Sequence, residues 1–423
     1  MRRPSRSTLP VCLASLTLIA GASPVRAQET LFVDVTDTHV PAARSLHALD
    51  AALADVDKDG DLDVILAVEM AANRLYLNDG AGRLTWKEGA FGAGRHDSEH
   101  VRTADFNQDG FVDVIFVAED DQAHEFFLGG PGGIFVDATD RLPQRSEGNG
   151  LAVGDVNGDG LPDIVVGNSA EMRPGRARAS GQDFLWLNDK SRPGHFIDAT
   201  KAHLPQVEDD TQGIALADLD GDGDLDMVVA NETPPSRLLL NNGKGRFKDA
   251  SARLQLVTPL ETREAHVFDA TGDGKPDIVL FNLTSNNHQW DKDPQARLLV
   301  NDGSGRFRDE TAARLPANTF SSWGGLPIDF DRDGDMDLIV GAIEVPGFKP
   351  LQVRAYANDG KGRFTDVTAT VIPAQTVGRT WSMAKGDLDG DGREDLFIGA
   401  WGTQARLLLS RAPGAMGQTG GQP

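Results

Sequence analysis

Seven stretches of the chain share one spacing of oxygen-bearing side chains, D-x-[DN]-x-D-G-x-x-D, with one degenerate copy. They begin at Asp55, Asp105, Asp155, Asp218, Asp269, Asp329 and Asp387. Each offers oxygen donors at positions 1, 3 and 5, a Gly at 6 for a tight turn, a main-chain carbonyl at 7 and an Asp at 9. This set suits Ca²⁺, which takes six to eight oxygens at about 2.3–2.6 Å. Mg²⁺ wants a stricter octahedron, and transition metals favour imidazole or thiolate. In the first loop Asp55, Asp57, Asp59 and Asp63 would ligate through side chains and Asp61 through its carbonyl. The second offers Asp105, Asn107, Asp109, Phe111 and Asp113, the third Asp155, Asn157, Asp159, Leu161 and Asp163. The fourth offers Asp218, Asp220, Asp222, Asp224 and Asp226, the sixth Asp329, Asp331, Asp333, Asp335 and Asp337. The seventh reads Asp387, Asp389, Asp391, Arg393 and Asp395. The fifth departs, with Asp269, Thr271, Asp273, Lys275 and Asp277, so a hydroxyl or water replaces a carboxylate and the weakest binding is expected there. Position 12 is apolar, as in Leu66, Phe116 and Val166, where an EF-hand needs a bidentate Glu. Up to seven calcium ions are expected, with a mainly structural role.

Repeating elements must hold these loops. Their starts lie 50 to 63 residues apart, the period of a propeller blade. A β-branched run such as Val64-Ile65-Leu66-Ala67-Val68 follows each loop, as befits a buried strand. Next comes a strand ending in an Asn/Asp-Gly turn, as in Leu75-Tyr76-Leu77-Asn78-Asp79-Gly80 and Leu238-Leu239-Leu240-Asn241-Asn242-Gly243. The strand out of the turn recurs as Phe135-Val136-Asp137, Phe196-Ile197-Asp198, Phe247-Lys248-Asp249, Phe307-Arg308-Asp309 and Phe364-Thr365-Asp366. With the strand leading into the loop, each repeat has four. The seventh stops after Leu407-Leu408-Leu409, while Phe32-Val33-Asp34-Val35-Thr36 stands unclaimed before the first. The expectation is an all-β, seven-bladed β-propeller over residues 28–411, its last blade completed by the N-terminal strand, which removes the open sheet edge.

Composition fits that expectation. The net charge of -23 suggests a solvating chain, yet 39% of residues are hydrophobic, and nearly half of the 64 acids lie in the loops. Nothing basic forms a stripe with aromatics, so nucleic acid is excluded as a partner. Residues 1–27 read as an export signal: Arg2, Arg3 and Arg6, an apolar run from Leu9 to Ala20, then Val25-Arg26-Ala27. The expected location is periplasmic or extracellular. No later stretch is apolar enough to cross a membrane. Cys12, the one cysteine, leaves with the signal, so no disulfide braces the mature chain. Residues 412–423, rich in Gly, Pro and Gln, read as a disordered tail. A monomer is expected.

Through these loops, turns and F-x-D-x-T strands the sequence resembles the FG-GAP and VCBS repeat proteins, which include the propeller head of integrin α chains. The resemblance covers nearly the whole chain after the signal and is nearest to secreted bacterial members. It implies loops on one face, blades stiffened by calcium, and roles that range over adhesion, carbohydrate binding and service to enzymes. Phe-Gly and Gly-Ala-Pro words survive only as fragments, Phe91-Gly92 and Gly341-Ala342, so an integrin-like partner surface is not implied.

A ligand would be met where the strands leading into the loops begin, beside the central channel. His47, His96, Glu99, His100, Glu147, Asn149, Gln212, Glu264, His266, Trp323, Arg379 and Trp381 stand there. His100, Trp323, Arg379 and Trp381 are the strongest candidates for a ligand funnel, since indole beside Arg and His suits sugar rings or cations. Longer insertions run from Ser169 to Asp183, Thr284 to Pro294 and Glu344 to Gln352, the first bearing Arg173, Arg176 and Arg178. No catalytic constellation is legible: His96 and His100 part if their segment is extended, and no H-E-x-x-H occurs. A ligand-binding or adhesion module for a glycan or protein is the reading. The alternative is a calcium-dependent, lyase-like enzyme acting on polysaccharides, on fold analogy alone.

Overall fold

The computed structural model describes residues 30–43, 45–169, 181–233, 235–283, 294–345, 347 and 349–412. Residues 1–27, read above as an export signal, Arg173, Arg176, Arg178, most of the insertion at 284–294 and residues 413–423 of the expected tail lie outside them. The chain is predominantly β and antiparallel: the third to sixth repeats each form a four-stranded sheet in sequence order, while the first, second and seventh are joined in one twelve-stranded sheet through the pairs Ala48↔Ala400 and Glu69↔Asp97. The third repeat shows the pattern: Gly148–Gly154 leads into the loop, Asp163–Asn168 returns from it, and Phe184–Asn188 and Phe196–Asp198 form the outer hairpin.

Burial follows the sequence. The first six residues of the returning strands, or all of them where the strand is shorter, are buried, as in Asp113–Ala118 (D-V-I-F-V-A), since both their faces are covered by neighbouring sheets. The outer strands alternate or are exposed. Seven apolar clusters result, each drawn from two adjacent repeats. One joins Val64, Leu66 and Tyr76 of the first repeat to Leu388, Phe397 and Leu407 of the seventh. The inner strands touch one another in succession, and Thr380–Gly386 in turn touches His47–Ala54.

Phe32–Asp34 pairs with Arg406–Ser410 in the register Phe32↔Ser410 to Asp34↔Leu408. Here the observed strand is shorter than the sequence suggests. It stops at Asp34, and Thr36–His39 forms a short helical turn. The same happens at Thr200, Thr311 and Thr368. In F-x-D-x-T the Asp carboxylate accepts the Thr amide, as Asp198 does from Thr200 at 3.0 Å, and the Thr hydroxyl accepts an amide of the third strand, as Thr200 does from Leu185 at 3.1 Å. The motif is thus a strand stop, its side chains competing with the ladder for backbone groups. In the sixth repeat, the inserted residues supply the strand Lys349–Gln352, which pairs with Val377–Gly378. Among the described residues no helix is long and apolar enough to span a membrane.

Candidate metal loops and the face opposite them

The loops shape themselves by four hydrogen bonds that recur in all seven. The Gly at position 6 donates to the first Asp, as Gly60 does to Asp55 at 3.1 Å and Gly160 to Asp155 at 2.8 Å. Its φ is +100° at Gly60 and +97° at Gly334, a conformation that side-chain-bearing residues avoid. The amide at position 7 donates to the Asp at 5, as Asp61 does to Asp59 at 3.0 Å. The Asp at position 9 accepts twice: Asp63 takes the Val56 amide at 3.1 Å on one oxygen and the Asn78 amide at 2.9 Å on the other.

Carboxylate oxygens therefore crowd together before any cation is considered. Those of Asp55, Asp57 and Asp63 lie within 4.8 Å of one another, as do those of Asp218, Asp220 and Asp226, of Asp329, Asp331 and Asp333, and of Asp387, Asp389 and Asp395. In the second, third and fifth loops position 3 is Asn107, Asn157 or Thr271, so fewer carboxylates meet. Asp55 Oδ1, Asp220 Oδ1, Asp329 Oδ1 and Thr271 Oγ1 are buried without a hydrogen-bond partner. Burial pushes the position-9 carboxyls up, to about 6 in Asp63 and Asp226 and about 7 in Asp163, Asp337 and Asp395; backbone amides oppose this and neighbouring Asp residues add to it. Orphaned hard oxygens in a crowd of like charge are what a divalent cation would satisfy, so the residues present fit one. Two loops carry their own cation: Lys275 Nζ lies 3.0 Å from Asp273, and Arg393 Nε lies 3.2 Å from Asp391.

Antiparallel pairing puts the starts of the inner strands at the end of each sheet opposite its loop. There the register slips around one residue in the first five repeats: Leu49, Glu99, Asn149, Gln212 and Arg263. In the seventh the slip takes in Trp381. All of these, and Trp323 in the sixth repeat, stand six residues before the first Asp of their loop. A bulge breaks the alternation of the strand and re-aims a side chain. Four of these residues form a continuous arc. Arg263 donates to Gln212 at 2.6 Å and lies over Trp323 at 5.0 Å, and Trp323 stacks on Trp381 with centroids 3.3 Å apart. Trp381 then approaches Trp401 at 6.0 Å, Arg379 lies over Trp401 at 5.0 Å, and His47 packs on Trp401 at 5.1 Å. Glu69 holds the far end, accepting from Trp401 Nε1 at 2.8 Å and meeting His47 Nδ1 at 2.5 Å.

The structure thus gathers Trp323, Trp381, Arg379, Gln212 and His47. His100 reaches them only at the Gln212 backbone. It meets Asp50 at 3.1 Å and the Gln212 carbonyl at 3.3 Å, at a cavity of about 360 Å³ shared with Arg102, Glu264 and His266. Burial alone would raise the Asp50 carboxyl, but Arg102 at 2.6 Å and His100 hold it well below the usual range. His96 and His100 part company along the strand His96–Ala104: His96 meets Asp121 at 2.7 Å. Glu147 is buried and lies within 3.4 Å of the Gln122 amide; Asn149 donates to Glu119 at 2.5 Å. Sequence reasoning missed Arg263, Glu69 and Trp401. Arg263 shares the six-residue offset of the two tryptophans and was findable; Glu69 and Trp401 close the second strands and carry no such signal.

The FG-GAP-like repeat family is matched over residues 55–116, 105–166, 176–229, 218–280, 282–340 and 348–398, segments that together contain all seven loops. Cartilage acidic protein 1 of Xenopus tropicalis is 30% identical over 209 residues, which is 47% of this chain and 29% of that protein. The Mus musculus protein of the same name is 28% identical over 246 residues, 56% of this chain and 34% of its own length. The matched stretch spans about a third of these relatives. Among solved structures, an Agrocybe aegerita lectin described as recognising non-reducing terminal N-acetylglucosamine overlays with a TM-score of 0.48 at 18% identity, covering 84% of this chain and 85% of that one.

Proposed function

The chain belongs to the FG-GAP-like repeat family, and from that premise we propose an exported, calcium-bound, seven-bladed propeller that binds an acidic glycan at the aromatic arc opposite its loops. The seven inter-repeat clusters and the pairing of Phe32–Asp34 with Arg406–Ser410 support a ring of seven blades closed by the N-terminal strand. The loop donor sets support calcium: when bound, it would neutralise the crowded carboxylates and tie the loop to the strands on either side. Export rests on the signal-like residues 1–27.

The ligand reading is carried by one observation, the Trp323–Trp381 stack continued by Trp401, with Arg263 over Trp323 and Arg379 over Trp401. All three tryptophans of the arc are only half-buried. Indole surface takes the apolar C–H patches of a sugar ring, and a guanidinium nearby takes a carboxylate or sulfate in a bidentate pair. A glycan array with calcium present tests this. Uronate-bearing or sulfated glycans should bind, and a Trp323→Ala, Trp381→Ala double variant should lose at least tenfold in affinity. Equal binding by that variant, folded and calcium-loaded, would sink the reading.

A further inference from the structure

The cavity that His100 borders gathers polar side chains of its own, apart from the aromatic arc. Its volume of about 360 Å³ is that of a small-molecule pocket, and it lies among the inner strands His96–Ala104, Gly148–Gly154, Thr211–Ala217 and Glu261–Phe268. Leu151, Ile214 and Val267 give it apolar walls; His100, Arg102, Glu264 and His266 supply the polar groups. We infer that this cavity binds a small oxyanion, a sulfate or carboxylate group, either as a free inorganic ion or as the acid group of a small molecule.

The residue types are exceptional for their places. Five and three residues before the first Asp of each loop, the inner strands otherwise carry Gly, Ser, Ala or Leu, as in Gly150 and Ala152 or Ser382 and Ala384. The exceptions are Asp50 in the first repeat, His100 and Arg102 in the second, and Glu264 and His266 in the fifth. Asp50 is 4% exposed and fully engaged: its carboxylate accepts the Ala51 amide at 2.9 Å, the Val101 amide at 3.1 Å and Arg102 Nη1 at 2.6 Å, and meets His100 Nδ1 at 3.1 Å. It is the counter-charge that fixes Arg102 and His100, and it does not itself line the cavity. His100 closes that side, its other nitrogen facing the Gln212 carbonyl at 3.3 Å.

Arg102 commits one nitrogen to this anchor. Nη1 donates to Asp50 and, at 2.7 Å, to the Val101 carbonyl; among the described residues nothing accepts from Nε or Nη2. The side chain is 36% exposed, so that edge of the guanidinium is left as a two-pronged donor of the kind that grips an oxyanion. His266 adds a second donor. Its Nε2 is buried and stands 3.1 Å from Glu264 Oε1 without the alignment of a hydrogen bond, and Phe281 braces the ring edge-on with centroids 6.0 Å apart. Glu264 is the one carboxylate among the lining residues, its Oε2 accepting the Gly325 amide at 3.1 Å. A guanidinium with an open edge favours an anion over a cation, and Glu264 opposes it, which gives the inference a sign that can be measured.

Equilibrium dialysis of the whole calcium-loaded chain against labelled sulfate, and separately against labelled glucuronate, tests it. At least one probe should bind saturably at this site, and which one does tells an inorganic ion from the acid group of a small molecule. Arg102→Met should weaken that binding at least tenfold. Glu264→Gln keeps an acceptor for the Gly325 amide and removes the opposing charge, so it should tighten binding several-fold, and it decides the matter if Arg102→Met does not fold. The Trp323→Ala, Trp381→Ala double variant should bind the probe as the parent does, because the inference does not rest on the glycan reading and none of its groups belongs to the arc. Absence of saturable binding of both probes overturns the site. So do equal binding by a folded Arg102→Met chain, binding by Glu264→Gln no tighter than the parent's, and loss of the probe with the two tryptophans.

Discussion

The side-chain amide of Asn241 donates to the carbonyl of Val156 at 2.8 Å, joining the outer turn of one repeat to the metal loop of the repeat before it. The same amide reaches the Leu225 carbonyl at 3.0 Å in its own loop. Asn188 spans to Phe106, Asn301 to Leu219 and Asn358 to Ala270 in the same way. Asn78 of the first repeat reaches Leu388 of the seventh at 2.8 Å. The Asn of each L-x-N-D-G turn is therefore a clip between repeats. Asn241→Ala strips a donor from two carbonyls at once, and a cost of about 1–3 kcal/mol is expected. Chemical denaturation checks it: the midpoint should fall with the slope unchanged, and Asn241→Asp should do no better, since a carboxylate cannot donate.

Calcium removal should destabilise the whole ring and not one loop, because each position-9 Asp ties an amide of its own loop, as Asp63 ties Val56, to an amide at the end of the third strand of its sheet, as Asp63 ties Asn78. A metal held at a thousand times its Kd adds about 4 kcal/mol per site. Excess EGTA is expected to lower Tm by several degrees at least, and an unmoved Tm would remove calcium from the account.

The fifth loop should differ from the rest. Thr271 supplies no charge, and Lys275 already leans on Asp273, holding that carboxyl below its usual value chiefly through their hydrogen bond. Lys275→Gln removes the competitor while keeping the carbonyl at position 7. Its predicted effect is tighter calcium binding at this loop, read by isothermal titration as a gain in the weakest class of sites.

How far the sequence spoke depended on whether a feature repeats. The loops, strands and Asn-Gly turns recur at one spacing, so one local rule applied seven times located the four-stranded sheets. The Thr in F-x-D-x-T was read as strand with the rest of its repeated motif; in the fold its hydroxyl and the preceding carboxylate capture amides and end the ladder. The aromatic arc was half legible. Trp323 and Trp381 declare themselves by type and offset, while Arg263 has the offset without the aromatic ring, and Trp401 enters from another strand by packing alone. Contacts between repeats that differ in sequence leave no periodic trace.

His124 offers a pH test away from any metal loop. Its Nδ1 accepts the Ala118 amide at 3.0 Å, so Nε2 carries the proton toward Ser146 at 3.0 Å, and the ring is neutral. Burial lowers its pKa to about 4. A base whose folded pKa is depressed contributes stability that is present above its unfolded value of about 6.5 and lost as pH falls toward 4. Between pH 7 and pH 5 the loss should be about 2 kcal/mol. His124→Gln should flatten that part of the stability profile, measured by urea denaturation at each pH.

Arg263 lies over Trp323 and Arg379 over Trp401 on the same aromatic arc, yet replacing them should have opposite signatures. The Arg263 side chain is 11% exposed and lies between Glu261 and Glu232 at 2.8 and 3.1 Å. Removing a buried partner leaves uncompensated charge, so Arg263→Met should cost about 3–5 kcal/mol in stability. Its carboxylate partners would also repel an anionic ligand, and binding should fall with stability. Arg379 lies half-buried over Trp401, and a cation over an indole at a partly exposed site is worth about 0.5–1 kcal/mol. Arg379→Ala should therefore leave Tm nearly unchanged and weaken only the binding of charged glycans, with a shallower salt dependence than the parent. If Arg379→Ala instead lowers Tm and leaves glycan affinity alone, the arginine is a support for Trp401 and the anionic part of the ligand is met elsewhere on the arc.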